Sequence, residues 1–140
     1  MDSSQDNAQQ ETDALLVQIA DYVMAEPDFS DVAYDTAYLA LIDSIGCMAL
    51  AANYPACTKL LGPIVEGTVV PGGCRIPTTS WEVDPVLGAA NIGMLVRWLD
   101  FNDTWLAKEW GHPSDNLGGI LAVMDFMSRS QGVSFTIRDV

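Results

Sequence analysis

The run from Val86 to Leu99 constrains the fold of this 140-residue chain more than any other feature. It is apolar on nearly every side, and a helix of that kind is a buried one. Asp84 can cap its start, and Pro85 suits the first helical position. Four small residues on this helix would let neighbouring helices approach closely: Gly88, Ala89, Ala90 and Gly93. The chain is therefore predicted to fold around this buried helix.

Helical spacing also marks the segments that precede this run. A first helix is predicted after Thr12, a suitable N-cap, and it ends near Met24 or Ala25 because Pro27 cannot continue it. Ser30 can cap a second helix, whose apolar stripe is expected to face the core. This stripe consists of Tyr34, Tyr38, Leu41, Ile42, Ile45, Met48, Ala49 and Ala52. A short third helix is predicted from Ala56 to Leu61.

The remaining segments complete a mainly helical pattern. Residues 62–83 are punctuated by glycine and proline around short β-prone pieces, which predicts an extended, turn-rich connector. A last helix opens near Pro113 and carries Leu117, Ile120, Leu121, Met124 and Met127 on one side. Residues 1–11 are polar and are predicted to be a disordered leader. The predicted fold class is thus all-α over residues 12–140, with one extended connector.

Charge and hydropathy exclude several classes of partner. Six Lys and Arg against nineteen Asp and Glu give a formal net charge of -13. That sign opposes binding to nucleic acid or to an anionic membrane, because both need clustered cations. The most apolar run is far shorter than the ~20 residues of a membrane span, and the acidic start is no secretion signal. We expect a soluble, cytoplasmic protein.

The composition also argues against a metal or another cofactor. Cys47, Cys57 and Cys74 form no Cys-x-x-Cys pair, so a zinc ribbon or an iron–sulfur cluster is not expected, and buried free thiols are. The acids Asp100 and Asp103 suggest a magnesium site only if a second acidic helix faces them, and the sequence offers none. No cofactor and no metal are therefore predicted.

Polar residues with chemical potential follow directly after the buried helix. If that helix continues through Thr104, then Asp100, Asp103 and Thr104 share one face. Carboxylates that are partly desolvated at the end of an apolar helix could act as general acid or base, and the hydroxyl can donate or accept. The alternative is a structural role, since Asp often caps backbone groups at helix ends.

The only histidine of the chain, His112, immediately precedes Pro113. We expect it at a helix N-terminus, where the helix dipole favours a neutral ring that can act as a base. Ser114 belongs to the polar first turn. Gly118 and Gly119 weaken the helix that follows, which indicates a close contact with a neighbouring element. A hydrogen-bonded structural histidine is the alternative.

These residues stand within stretches that resemble the MmgE/PrpD family. The stretches are RWLDFNDTW at residues 97–105 and EWGHPSDNLGGIL at 109–121, with further similarity through 54–57, 59–65 and 67–71. The resemblance implies a large helical domain and a smaller α+β lid domain, assembled as a homodimer. Residues 12–140 would be the N-terminal part of the helical domain, with the remainder of that domain and the lid absent.

The resemblance also implies an activity and its residues. Family members include hydro-lyases that dehydrate 2-methylcitrate to 2-methyl-cis-aconitate in the methylcitrate cycle of propionate breakdown, without an iron–sulfur cluster. By position, the family's active-site Asp, Thr and His fall on Asp100, Thr104 and His112. We further expect Ser114, Asp103 and Lys108 to bind the tricarboxylate substrate.

Two alternatives to this reading stay open. A cis-aconitate decarboxylase shares the family's fold and the same Asp, Thr and His positions. The second alternative is a non-catalytic helical interaction module, because the predicted helices carry more apolar surface than they can cover. Family members contribute a second histidine, lysines and a tyrosine from later segments. We therefore expect the 140 residues to be an N-terminal fragment that is inactive alone and packs against further chain or a partner.

Overall fold

The computed structural model describes residues 13–25 and 27–140, in two compact units divided after Asp31. The predicted leader and the predicted N-cap Thr12 lie outside the described residues. In the first unit, α1 spans Ala14–Met24, and its end at Met24 confirms the prediction. Its N-cap is Asp13, whose carboxylate accepts a hydrogen bond from the backbone N–H of Leu15 at 2.8 Å.

The helix α2 spans Asp31–Ala51 and begins directly after Ser30, as predicted. The apolar stripe predicted to face the core was wrong in large part, because Tyr38, Ile42 and Ile45 are about half exposed. The buried face is instead Ser44, Cys47, Met48 and Ala51. The sequence of α2 is apolar on more than one side, so periodicity alone could not identify the side that packs on the core.

The third helix and the connector follow. The helix α3 spans Pro55–Thr58, whereas Ala56 to Leu61 was predicted; Pro55 occupies the first turn, where its missing N–H costs nothing. In the connector, β1 (Cys74–Arg75) pairs antiparallel with β2 (Glu82–Val83), with Cys74 opposite Val83. The prediction of extended segments and turns is confirmed, and the connector ends in an ordered hairpin.

The predicted central helix is α4, which spans Pro85–Arg97. Asp84 caps it by accepting hydrogen bonds at 3.0 Å from the backbone N–H groups of Val86 and Leu87, as predicted. The buried Asn91 accepts a hydrogen bond from the backbone N–H of Gly62 at 2.7 Å, which ties the connector to the helix. The buried residues of α4 are Gly88, Asn91, Ile92, Leu95 and Val96.

The helix α5 spans Leu117–Gln131 and packs closely on α4. A Cβ added to Gly118 would lie 2.6 Å from the carbonyl oxygen of Ala89, so this glycine permits the approach. A Cβ at Gly119 would meet nothing within 4 Å, so the close contact expected at both glycines exists only at Gly118. Gly132, in the left-handed conformation, ends the helix.

One apolar core lies among these elements. It consists of Met48, Ala51, Cys57, Leu61, Cys74, Ile76, Val83, Ile92, Leu95, Val96 and Ala122. All three cysteines are free and buried, as predicted, and burial raises the pKa of each thiol. The predicted mainly helical fold class is confirmed, since the strands have two residues each. Among the described residues no helix is long and apolar enough to cross a membrane.

The predicted excess of apolar surface is also present. On α2, Val32 and Leu39 are 74% and 66% exposed, and Leu50 is 51% exposed. Such side chains are common singly on protein surfaces, but several on one helix make an apolar face.

Candidate functional site

The residues predicted to carry the chemistry lie in the segment 98–116, which we call the site loop. Within it, β3 (Trp105–Leu106) pairs antiparallel with β4 (Trp110–Gly111), and a 3₁₀ turn spans Pro113–Asn116. Residues 104–111 are all exposed, whereas Asn102 and Ser114 are buried. The site loop is therefore a surface feature that is anchored at two polar points.

The predicted common face of Asp100, Asp103 and Thr104 does not form. The helix α4 ends at Arg97, and Asp100 takes the left-handed conformation with φ of 56°. Asp tolerates the left-handed conformation better than most residues. This conformation at residue 100 turns the chain away from the axis of α4. The side chain of Asp100 is 76% exposed, so the expected desolvation of this carboxylate was also wrong.

Arg97 connects both ends of the site loop. Its guanidinium donates to the carboxylate of Asp100 at 2.8 Å and to the side-chain carbonyl of Asn102 at 3.0 Å. It also forms an ion pair of 3.3 Å with Asp115 in the 3₁₀ turn. One planar group with several donors in fixed directions thus holds residues on both sides of the strand pair.

Asn102 and Asp103 continue this network. The buried side-chain amide of Asn102 donates to the hydroxyl of Ser114 at 2.5 Å. The carboxylate oxygens of Asp103 lie 3.2 and 3.3 Å from the backbone N–H of Ser114, which donates to them. This is the capping role named above as the alternative for Asp103, and it fixes the start of the 3₁₀ turn.

His112 is held through one of its ring nitrogens. Nδ1 lies 2.7 Å from the backbone carbonyl oxygen of Asp103, and because a carbonyl only accepts, Nδ1 carries the hydrogen. In the neutral ring Nε2 then has a free lone pair, the form needed for a base. The hydroxyl of Thr104 lies 3.4 Å from the same Nδ1, and the Trp110 ring meets the imidazole edge-on at 5.7 Å.

The structure therefore brings together part of the predicted set. Thr104 and His112 are in contact, and Asp103 and Ser114 lie beside them through direct hydrogen bonds. Asp100 is tied to Arg97 instead. Lys108 lies exposed in the turn between β3 and β4, and within the described residues no ion pair involves it.

Sequence reasoning missed two residues of this site, Arg97 and Asn102. Only Arg97 carried a signal: it is a cation at the end of an otherwise apolar helix, and such a charge needs a partner when it is partly buried. The burial of Asn102, between Phe101 and Asp103, could not be predicted without knowledge of the turn at Asp100. Across the described part of the chain, no group of three or more His, Cys, Asp or Glu residues is arranged to hold a metal ion.

The family profile and the individual relatives that match this chain agree with one another. The sequence profile of the MmgE/PrpD N-terminal domain matches residues 17–140. A 2-methylcitrate dehydratase of Escherichia coli is 59% identical over 130 residues, which cover 93% of this chain and 27% of that enzyme. That of Cupriavidus necator is 62% identical over 118 residues, covering 84% and 24%.

A third relative matches over a longer stretch of the chain. A mitochondrial 2-methylcitrate dehydratase of Yarrowia lipolytica is 51% identical over 140 residues, which cover 96% of this chain and 27% of that protein. The chain therefore spans about a quarter of the length of the relatives it matches. The whole site loop falls within the region covered by the family profile.

Proposed function

The chain belongs to the MmgE/PrpD family, and we propose that it carries part of the active site of a hydro-lyase that dehydrates 2-methylcitrate to 2-methyl-cis-aconitate. The support comes from relatives of that name at 59% and 62% identity. The activity would serve the methylcitrate cycle of propionate breakdown. Since the chain spans 27% of the Escherichia coli enzyme, the rest of the active site would come from outside these 140 residues.

Dehydration requires one proton to be removed and one hydroxyl to leave. A base takes the proton from the carbon next to a carboxylate, the electron pair of that C–H bond forms the new double bond, and the C–O bond breaks. The hydroxyl leaves with a proton from a second group, so the products are the unsaturated tricarboxylate and water. The base must reach the carbon-bound proton with an unprotonated atom.

His112 is our proposed base, and the observation that carries this proposal is the hydrogen bond at its Nδ1. This bond, 2.7 Å long to the carbonyl of Asp103, fixes the neutral tautomer that leaves Nε2 free to accept a proton. When Nε2 takes the proton, the same carbonyl stabilises the imidazolium, because Nδ1–H keeps donating to it.

The other site residues have supporting roles in this proposal. Thr104, 3.4 Å from the imidazole, would hydrogen-bond a carboxylate or hydroxyl of the substrate. Asp100 would fix geometry through Arg97, and Lys108 would offer a cation from the exposed turn. Ser114 and Asp103 remain predicted substrate contacts, although their hydrogen bonds to Asn102 and to each other support a role in holding the loop.

The negative charge of the site supports the proposal that cations from outside this chain complete it. Asp100, Asp103 and Asp115 oppose a single guanidinium in this network. A tricarboxylate needs several cations to hold it and the charge that develops on proton removal. We therefore propose that the remaining cations and the second proton-transfer group lie outside this chain, and that the full-length protein is a homodimer. A cytoplasmic location is also a proposal, because the Yarrowia lipolytica relative is named mitochondrial.

The test is turnover by the longest polypeptide that the gene encodes, offered 2-methylcitrate and cis-aconitate in separate assays. We expect 2-methyl-cis-aconitate to form from 2-methylcitrate, detected by its ultraviolet absorbance and by mass spectrometry. Release of carbon dioxide from cis-aconitate without turnover of 2-methylcitrate would instead establish the decarboxylase. No turnover of either tricarboxylate would favour the non-catalytic module.

A further inference from the structure

We infer that Arg97 is the positioning residue of this site: its guanidinium sets the spacing between Asn102 and Asp115, which flank the strand pair of the site loop, and thereby fixes His112 in the Nδ1–H tautomer. The inference rests on the proposed function for its catalytic meaning. Its structural content can be tested without any turnover.

The geometry behind the inference is a bridge with Arg97 at its centre. On one side the guanidinium holds the side-chain carbonyl of Asn102, the residue before Asp103, at 3.0 Å. On the other side it holds the carboxylate of Asp115, three residues after His112, at 3.3 Å. The carbonyl of Asp103 and the imidazole of His112 are the two partners of the 2.7 Å bond that fixes the tautomer.

A second connection ties the same two segments. The amide of Asn102 orients its carbonyl toward Arg97 and its NH₂ group toward the hydroxyl of Ser114, at 2.5 Å. The orientation of this amide is therefore set by the guanidinium. Loss of Arg97 would free the amide to rotate and would weaken the contact that holds residue 114.

Charge makes the guanidinium difficult to replace. Asp100 and Asp115 pair with Arg97 directly, and the carboxylate of Asp103 lies one residue from Asn102. Without the cation, these carboxylates repel one another, and the segments around Asn102 and Asp115 on either side of the strand pair move apart. Lysine would restore the charge but could not present the planar set of donors that reaches three acceptors in different directions.

The single histidine of the chain gives a direct readout. We propose long-range ¹H–¹⁵N spectra of the 140-residue chain at about pH 8, where an ordinary imidazole is neutral. The parent chain should show predominantly the Nδ1–H tautomer. Arg97→Gln should lose that predominance, shifting His112 toward the Nε2–H form, and Arg97→Lys should restore it only in part.

The matched control is Arg75→Gln. Arg75 also pairs with a carboxylate, that of Asp125 at 2.6 Å, but it lies on β1 rather than at the site loop. This control should keep the parent tautomer. If Arg97→Gln folds and still shows the parent tautomer, the inference is overturned.

A second variant covers the case in which Arg97→Gln does not melt cooperatively. Asn102→Asp keeps an acceptor for Arg97 but loses the donor to Ser114, and it should also lose the Nδ1–H predominance. An unchanged tautomer in Asn102→Asp would overturn the inference. Loss of folding in both variants would also overturn it, since the network would then be needed for folding rather than for positioning.

Turnover distinguishes this inference from the proposed function. In the longest form that the gene encodes, Arg97→Gln should lower kcat on the order of 100-fold, as expected for a displaced catalytic group, and change KM much less. A correct tautomer response in a protein without turnover would leave the inference standing and remove the proposed function. Turnover by the parent protein, together with an unchanged tautomer in Arg97→Gln, would support the proposed function and overturn the inference.

Discussion

The hairpin β1–β2 and the site loop are both short irregular segments held by an arginine, yet they are built differently. In the hairpin, Cys74, Ile76 and Val83 are at most 1% exposed and belong to the core. Residues 104–111 of the site loop are all exposed. The position of the hairpin is thus set by apolar packing, and that of the site loop by hydrogen bonds.

The arginines reflect this difference. Arg129 on α5 donates to Glu82 and to the carbonyl of Gly73, and so ties the hairpin to α5. The buried side chains of the hairpin already set its position, so these bonds only add to the apolar packing. Arg97 instead joins residues that no shared core brings together. We conclude that substitutions near the hairpin and in the packed helices should act mainly on stability, and those at Arg97 and in the site loop mainly on the geometry of His112.

The largest effect on stability is expected for Gly118→Ala. The new Cβ would lie 2.6 Å from the carbonyl oxygen of Ala89 and 3.0 Å from the backbone nitrogen of Gly93, so α4 and α5 must move apart. Overpacking of this kind costs about 3 kcal/mol in the free energy of unfolding. Urea unfolding followed by circular dichroism measures it.

Gly119→Ala is the matched control for that variant. It adds the same methyl group one residue later, into open space, and gains helix propensity. It should stabilise the protein by about 0.5–1 kcal/mol. Equal effects of the two substitutions would show that close packing of α4 on α5 is not what Gly118 provides.

A smaller, pH-dependent effect is expected at the hairpin. Burial raises the pKa of Asp125, but hydrogen bonds from the Arg75 side chain and backbone outweigh it, so the net pKa is lowered. The hydrogen bond from Arg129 lowers the pKa of Glu82 as well. Groups with a lowered pKa in the folded state add stability above their unfolded pKa, about 4, and lose it as the pH falls through the folded value.

Asp125→Asn should therefore destabilise the protein by about 1 kcal/mol at neutral pH, and by less at a pH well below the ordinary carboxyl pKa of about 4. Urea unfolding at both pH values measures the difference. Glu66→Gln removes the same charge from an exposed position in the connector and should show little change at either pH. A constant penalty for Asp125→Asn across the pH range would contradict the assignment to its ionised carboxylate.

At Asp100, an effect on stability similar to that of Asp125→Asn is expected, and turnover is a separate readout. Asp100→Ala places an alanine at φ of 56° and should cost about 1 kcal/mol. Asp100→Asn tolerates that conformation and should cost much less. Turnover is measured on both variants of the longest polypeptide that the gene encodes. If they lose turnover equally while differing in stability, the carboxylate acts in the reaction; if turnover follows stability, Asp100 only shapes the turn.

The smallest effect on stability is expected for Lys108→Ala. Its side chain lies in an exposed turn, so the free energy of unfolding should change by less than about 0.5 kcal/mol. If Lys108 binds a carboxylate of the substrate, KM of the longest polypeptide that the gene encodes should rise by about tenfold, which corresponds to roughly 1.4 kcal/mol. An unchanged KM would remove Lys108 from the site.

The sequence predicted the packed elements well and the site loop poorly. The cap at Asp84, the buried α4 and the close approach at Gly118 all follow from local rules that the structure obeys. The end of α4 could not be predicted, because residues 97–104 have no proline or glycine to stop a helix. What ends it is the left-handed Asp100 together with the bonds of Arg97, and one of these bonds reaches Asp115, far along the chain on the other side of the strand pair.

The central claim is that the site loop carries the chemistry and the packed elements only support it. Turnover of 2-methylcitrate by His112→Asn in the longest polypeptide that the gene encodes tests this most directly, because the asparagine amide keeps a donor near the position of Nδ1 but removes Nε2. We predict that kcat falls by at least about 100-fold while Tm shifts by no more than about 2 °C. Turnover within a few-fold of the parent protein would contradict the claim.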